Sequence, residues 1–172
     1  MYIPDRVWRF IERWEGGDTA TNDSLDTGGI TKFGISQNNN PTVDVLNLTA
    51  DKAKQVYYKR YWTVAYCDEL PEFMRLIQMN CAVNCGTRTA IKCLQRVVRV
   101  KADGKFGNKT REAVRGYGVR PRMFTINYLS YQCLYYCNIV ERRKSQHKWL
   151  RGWVKRTYDA CWETAINFGA KK

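Results

Sequence analysis

Residues 15–35 read EGGDTATNDSLDTGGITKFGI: a glutamate, two glycines at once, then a polar run holding Asp23 and Asp26 and a second Gly-Gly pair at 28–29. Upstream, Trp8, Ile11 and Glu15 recur at three- and four-residue spacing, which predicts one face of a helix from about Asp5, an acceptable N-cap, to Glu15. Gly16 and Gly17 stop that helix, since glycine takes the left-handed conformation that ends helices. Residues 18–48 are rich in turn formers, with a short hairpin predicted around Ile30 to Ile35 where apolar and polar residues partly alternate.

Glu15 thus ends an otherwise apolar stripe at the negative end of the helix dipole. Partial desolvation and the dipole both favour the protonated carboxyl. A carboxylic acid kept protonated near neutrality is what protonates a leaving glycosidic oxygen. The two glycines let a bulky substrate approach the backbone. Asp23 and Asp26 lie in the polar loop, where ionisation costs little, and Asp26 precedes a tight Gly-Gly turn that could aim it back at the helix end. Thr31 follows with a hydroxyl. The plainer alternative is a helix-terminal glutamate and a turn-forming aspartate with no shared task, and spacing alone favours it.

The rest of the chain is dominated by helical periodicity. Thr49 can cap a second helix with Ala53, Val56, Tyr57 and Tyr61 inward, and Pro71 opens a third carrying Phe73, Leu76, Ile77 and Val83 to Gly86. Thr87 can cap a fourth with Ala90, Ile91, Leu94 and Val98, and Asn108 a short fifth with Ala113 and Val114. Pro121 opens a long helix with Ile126, Leu129, Cys133, Cys137 and Val140 in register, and the last carries Trp153, Thr157, Ala160, Cys161, Thr164 and Phe168. The fold class expected is mainly α with a small loop and β-hairpin insert near the N-terminus. Any joint between two lobes is expected near residues 65–90.

A chain of 172 residues is near the size of one ordinary domain and can bury a core without metals or disulfides. No apolar run approaches a membrane span, and the start, MYIPDRVWRFIERW, lacks the long apolar core of a secretion signal. Net charge is +13, which favours polyanionic partners. The densest patch, ERRKSQHKWLRGWVKR, holds Arg142, Arg143, Lys144, Lys148, Arg151, Lys155 and Arg156 with Trp149 and Trp153 between them. It could grip a phosphate backbone or a wall polymer. A solvated helix face over two buried indoles is the simpler reading. The seven cysteines are an odd number without a CxxC pair, which fits folding in a reducing compartment. A zinc site from Cys81, Cys85 and Cys93 is outweighed by ordinary core packing of free thiols. The single histidine, His147, has no catalytic partner nearby in sequence.

Glu15-Gly16-Gly17, Asn22-Asp23, Asp26-Thr27-Gly28-Gly29-Ile30-Thr31 and Gly34-Ile35 together resemble the opening motif of the phage endolysin muramidases of glycoside hydrolase family 108. The likeness continues in order through YKRYW (58–62), AVNCG (82–86), LQRVV (94–98), DGKFGNKT (103–110) and GWVKR (152–156). The resemblance implies a lysozyme-like, largely helical fold and hydrolysis of the β-1,4 bond between N-acetylmuramic acid and N-acetylglucosamine in bacterial peptidoglycan, lysing the host cell. It implies a catalytic region over 1–86 and a helical peptidoglycan-binding region over 87–172, packed as one globular unit. Segment 87–118 could bind wall on its own or serve as a structural lobe of the same domain, and structural support is the simpler reading. Glu15 matches the family's catalytic glutamate. The Glu–Asp–Thr order is similar to the triad of related phage lysozymes, which sets Asp26 and Thr31 beside it. Two extra residues before Asn22, and Asp18 where an aromatic is usual, leave the choice between Asp26 and Asp23 open.

Asp23, Gly34, Tyr61, Trp62 and Asn84 are the expected substrate contacts. Tyr61 and Trp62 could stack on sugar rings or belong to the core. Asn84 could bond an N-acetyl group or an internal carbonyl. No cofactor, metal or nucleic acid is expected, and the protein is expected to be a monomer. Without an export signal it is expected to accumulate in the host bacterial cytoplasm and reach the wall after a holin or equivalent opens the membrane. The alternative is a non-catalytic basic protein that binds wall or nucleic acid.

Overall fold

The computed structural model describes residues 2–21 and 29–169, with side chains to residue 164. Asp23 and Asp26 lie outside the described residues. The chain divides into two compact units, Met1–Arg60 and Tyr61–Lys172. The joint thus falls slightly before the expected 65–90 interval.

The first unit begins with α1, Asp5–Trp14. Asp5 is the first helical residue rather than the cap; Pro4 precedes it in extended conformation, and the Asp5 carboxylate accepts from Lys54 Nζ at 2.8 Å. Val7, Trp8, Phe10 and Ile11 are buried. Glu15 is the C-cap, and the Gly17 N–H returns to the Glu12 carbonyl at 3.1 Å across Gly16, whose φ is +86°. This is the Schellman closure that the Gly-Gly pair predicts.

The hairpin pairs β1, Thr31–Lys32, with β2, Ile35–Ser36, antiparallel, with Lys32 opposite Ile35. Its two central residues, Phe33 and Gly34, have φ of +53° and +68°. Positive φ at both positions is the type I′ geometry that matches strand twist. A phenylalanine in that region is strained, and its ring is buried, with 1% of its surface exposed. α2, Ala50–Tyr57, is capped as expected by Thr49, whose hydroxyl oxygen accepts from the Lys52 N–H. Ala53 and Tyr57 are buried, whereas Val56 is half-buried. A single π-helical turn, Tyr58–Trp62, follows.

The second unit is a helical bundle. A 3-10 turn, Cys67–Glu69, leads to α3, Glu72–Cys85. α4 spans Thr87–Val97, α5 Asn108–Gly116, α6 Pro121–Arg142 and α7 His147–Gly169, with a 3-10 turn at Lys144–Gln146 before α7. α3 packs on α4, α6 and α7, and it is buried from Phe73 to Ala82 with only Arg75 half-exposed. The expected division at residue 86 marks the turn from α3 to α4 inside this unit. Gly86 there has φ +86° and is the N-cap of α4, so Thr87 is not the cap; likewise Gly107, not Asn108, caps α5.

α6 departs most from its expected face. Its buried residues are Phe124, Thr125, Tyr128, Leu129, Gln132 and Tyr136, whereas Ile126 and Cys137 are exposed. The inward tyrosines find polar partners. Tyr128 Oη lies 2.7 Å from Gln78 Oε1 and 2.9 Å from the Ala90 carbonyl, and Tyr136 Oη accepts from Gln132 Nε2 at 2.6 Å. On α7, Arg156 is buried and its Nε donates to Asn80 Oδ1 at 2.7 Å, so it leaves the expected solvated patch. Trp149 is exposed rather than buried, and Trp153 is half-buried with its ring stacked on Tyr136 at 5.0 Å. Among the described residues no helix is long and apolar enough to cross a membrane.

Candidate active site

The C-terminus of α1 positions Glu15. Its N–H donates to the Ile11 carbonyl at 3.0 Å, and the residue is half-buried. The chain then leaves through Gly16 and Gly17, and the Gly17 carbonyl accepts the Phe33 N–H at 2.9 Å. One backbone bond thus joins the helix exit to the hairpin tip. The result is close approach: a Cβ placed on Gly34 would lie 2.7 Å from Glu15 Oε2, 2.9 Å from Glu15 Cβ and 2.8 Å from Tyr57 Oη. Only a residue without a side chain fits between the carboxylate and the phenol. Glu15 and Gly34, 19 positions apart in sequence, are therefore brought together.

Tyr57 is the site residue that periodicity assigned only to the core. Its hydroxyl donates to the Phe33 carbonyl at 2.9 Å, and its ring meets Trp8 edge-on at 5.5 Å. A signal existed. A buried tyrosine rather than phenylalanine on the inner face of α2 needs a polar partner, and the hairpin supplies it.

Thr31 opens β1. Its backbone exchanges hydrogen bonds with Thr21 at 2.8 and 2.9 Å, and its hydroxyl donates to the Gly29 carbonyl at 3.2 Å. That hydroxyl stands where the polar loop rejoins the hairpin. Asp18, where an aromatic was expected, pairs with Lys32 Nζ at 2.8 Å and helps tie the same exit to β1. Beyond the hairpin, Gln37 braces the loop: its Nε2 donates to the Val43 carbonyl at 2.8 Å and its Oε1 accepts from Val45 N–H at 3.2 Å.

The remaining expected contacts lie in the second unit. Trp62 has no exposed surface, and its indole N–H donates to Asp68 Oδ1 at 2.7 Å. A ring closed in on both faces cannot stack on a sugar, so Trp62 is a core residue. Tyr61 is half-buried. Asn84 is half-buried and its Nδ2 donates to Tyr136 Oη, so its internal partner is a phenol rather than a carbonyl.

Cys81, Cys85 and Cys93 do come together. The Cys81 thiol is pushed well up by burial, whereas the Cys85 thiol is held below its usual range by the Cys81 thiol that hydrogen-bonds to it, with Tyr136 and Gln132 adding to the effect. Among the described residues no group of three or more His, Cys, Asp or Glu could hold a metal ion.

Residues 8–86 match the model of the glycosyl hydrolase 108 family, and residues 89–158 match that of the predicted peptidoglycan domain. The structure of Brucella abortus SagA is similar, with a TM-score of 0.73 at 21% sequence identity, over 95% of this chain and 96% of that one. No curated protein matches the chain. At that identity the likeness concerns the fold, which is of the expected lysozyme-like class, mainly helical with a small hairpin near the N-terminus. The family matches make the chain a glycoside hydrolase that acts on peptidoglycan.

Proposed function

Residues 8–86 match the glycosyl hydrolase 108 family, and from that premise we propose that the chain is an N-acetylmuramidase. It cleaves the β-1,4 bond between N-acetylmuramic acid and N-acetylglucosamine. Glu15 is the general acid and delivers a proton to the glycosidic oxygen as the bond to the anomeric carbon breaks. Asp26, or Asp23 in its place, supplies the ionised carboxylate that stabilises the oxocarbenium-like transition state or activates water, and Thr31 orients that water.

The observation that supports this reading is the close approach of both Glu15 and Tyr57 to the Gly34 backbone. It sets the carboxyl at the end of a helix, next to a backbone with no side chain to obstruct a sugar. Fixed geometry of that kind is what an acid catalyst requires. The biological setting that fits is a phage endolysin, made in the host cytoplasm and admitted to the wall by a holin.

Borohydride reduction of digested peptidoglycan tests the bond. Reduced muramic acid at the new ends supports a muramidase, whereas reduced glucosamine identifies a glucosaminidase and ends the proposal. Expression in a bacterial host without a holin tests the setting, with lysis only after the membrane is permeabilised as the expected result. Spontaneous lysis would contradict it.

A further inference from the structure

α7 carries a second feature that the hydrolytic site does not use. Lys148, Arg151, Lys155, Tyr158 and Trp162 recur at three- and four-residue intervals, which puts them on one side of the helix. All five are exposed, the two rings at 74% and 67%. The opposite side, Arg156, Thr157, Ala160 and Thr164, is buried in the bundle. The acids of α7, Asp159 and Glu163, are half-buried and sit to one flank of the stripe. None of the three cations forms an ion pair among the described residues. The stripe spans about 21 Å along the helix axis, long enough to lie along several sugar rings.

We propose that this stripe of α7 holds a peptidoglycan strand, its rings stacking on sugar faces and its cations pairing with the strand's carboxylates. The proposal rests on peptidoglycan being the substrate and names the surface that keeps hold of it. A solvated face needs charge but not two adjacent, largely uncovered aromatic rings. Aromatic faces beside lysine and arginine suit a polymer that alternates C–H-rich ring faces with anionic groups. A bilayer fits less well. An interfacial helix sinks a broad apolar face into the lipid, whereas this stripe carries only two rings among its cations, with Trp149 exposed off the stripe, and the other side is locked in the bundle. The stripe starts within the segment matched by the predicted peptidoglycan domain, residues 89–158, and runs past its end to Trp162.

Sedimentation with purified sacculi tests the proposal in a Glu15→Gln background, where the polymer stays intact. A charge variant (Lys148→Gln, Arg151→Gln, Lys155→Gln) and a ring variant (Tyr158→Ser, Trp162→Ser) should each weaken binding by about tenfold, or 1.4 kcal/mol. On sacculi whose carboxyls have been amidated, the charge variant's deficit should vanish and the ring variant's should persist. Circular dichroism checks folding, and Trp162→Phe with the three cations kept should retain binding.

Unchanged sedimentation of both variants overturns the proposal. So does tighter, stripe-dependent binding to duplex DNA or to phosphatidylglycerol vesicles than to sacculi. Hydrolysis of the same sacculi by the unsubstituted protein reports separately on the substrate: hydrolysis with unchanged sedimentation removes the stripe alone, and failure to hydrolyse removes the enzymatic reading.

Discussion

Met1–Arg60 and Tyr61–Lys172 are held together differently. In the first unit the decisive contacts run through the backbone: the Gly17 carbonyl to Phe33, the Thr21–Thr31 pair, and Gly34 pressed between Glu15 and Tyr57. In the second they run through buried side-chain amides, hydroxyls and a guanidinium: Gln78, Asn80, Gln95, Tyr128, Gln132, Tyr136 and Arg156. Backbone contacts tolerate no added atom. Side-chain networks tolerate small shape changes but not the loss of a partner. The unit that carries the acid is thus specified by glycines, and the bundle by polar groups that must be matched.

Adding one methyl at two glycines separates these regimes. Gly34→Ala should lower hydrolysis by about 10²-fold, because displacing a catalytic group by an ångström costs that much. It should also destabilise the protein by roughly 3 kcal/mol from overpacking and positive φ together. Gly118→Ala in the second unit has a similar φ, +75°, but nothing within 4 Å of the new atom. It should cost about 1 kcal/mol from backbone strain and leave turnover unchanged. Equal effects at the two glycines, read by thermal melts and reducing-end release, would break the comparison.

Loss of a partner should be felt in the bundle. Gln95 Oε1 accepts the Gly104 N–H at 2.8 Å, and its Nε2 lies 2.9 Å from Asp103 Oδ1 and 3.0 Å from the Lys105 carbonyl. Gln95→Ala should destabilise by about 3 kcal/mol, seen as a lower denaturation midpoint. A shift below about 0.5 kcal/mol would mean that the amide is not what fixes residues 103–110.

The smallest effect is at the surface. Arg111 clasps Glu69 through Nε and Nη2, and this pairing holds the Glu69 carboxyl below its usual range. A depressed carboxyl contributes stability above its unfolded pKa and loses it as pH falls through the folded one. Arg111→Ala should therefore lower the thermal midpoint only slightly at neutral pH, and the gap from the unsubstituted protein should close on acidification. A gap that widens in acid would contradict the pairing.

Much of this was legible locally. The Gly-Gly stop of α1, the hairpin, the Thr49 cap and the proline starts at 71 and 121 each depend on a few neighbouring residues. Asp5, Thr87 and Asn108 missed their caps by one position. Pro4 precedes α1, and Gly86 and Gly107 take the conformation that precedes α4 and α5, which side-chain preference does not reveal. The face of α6 was misread because Tyr128, Gln132 and Tyr136 count as polar until their buried partners are known. For Trp62, stacking platform and core residue stayed open because sequence carries no burial. The Glu15–Gly34–Tyr57 cluster joins residues up to 42 positions apart, and no periodicity within one helix reports such a contact.

The central claim is that Glu15 is the proton donor. Reducing-end release from purified peptidoglycan by Glu15→Gln, beside a circular dichroism spectrum, tests it most directly. The account predicts turnover lower by at least about 10²-fold with the helical spectrum unchanged. Turnover equal to that of the unsubstituted protein would contradict it.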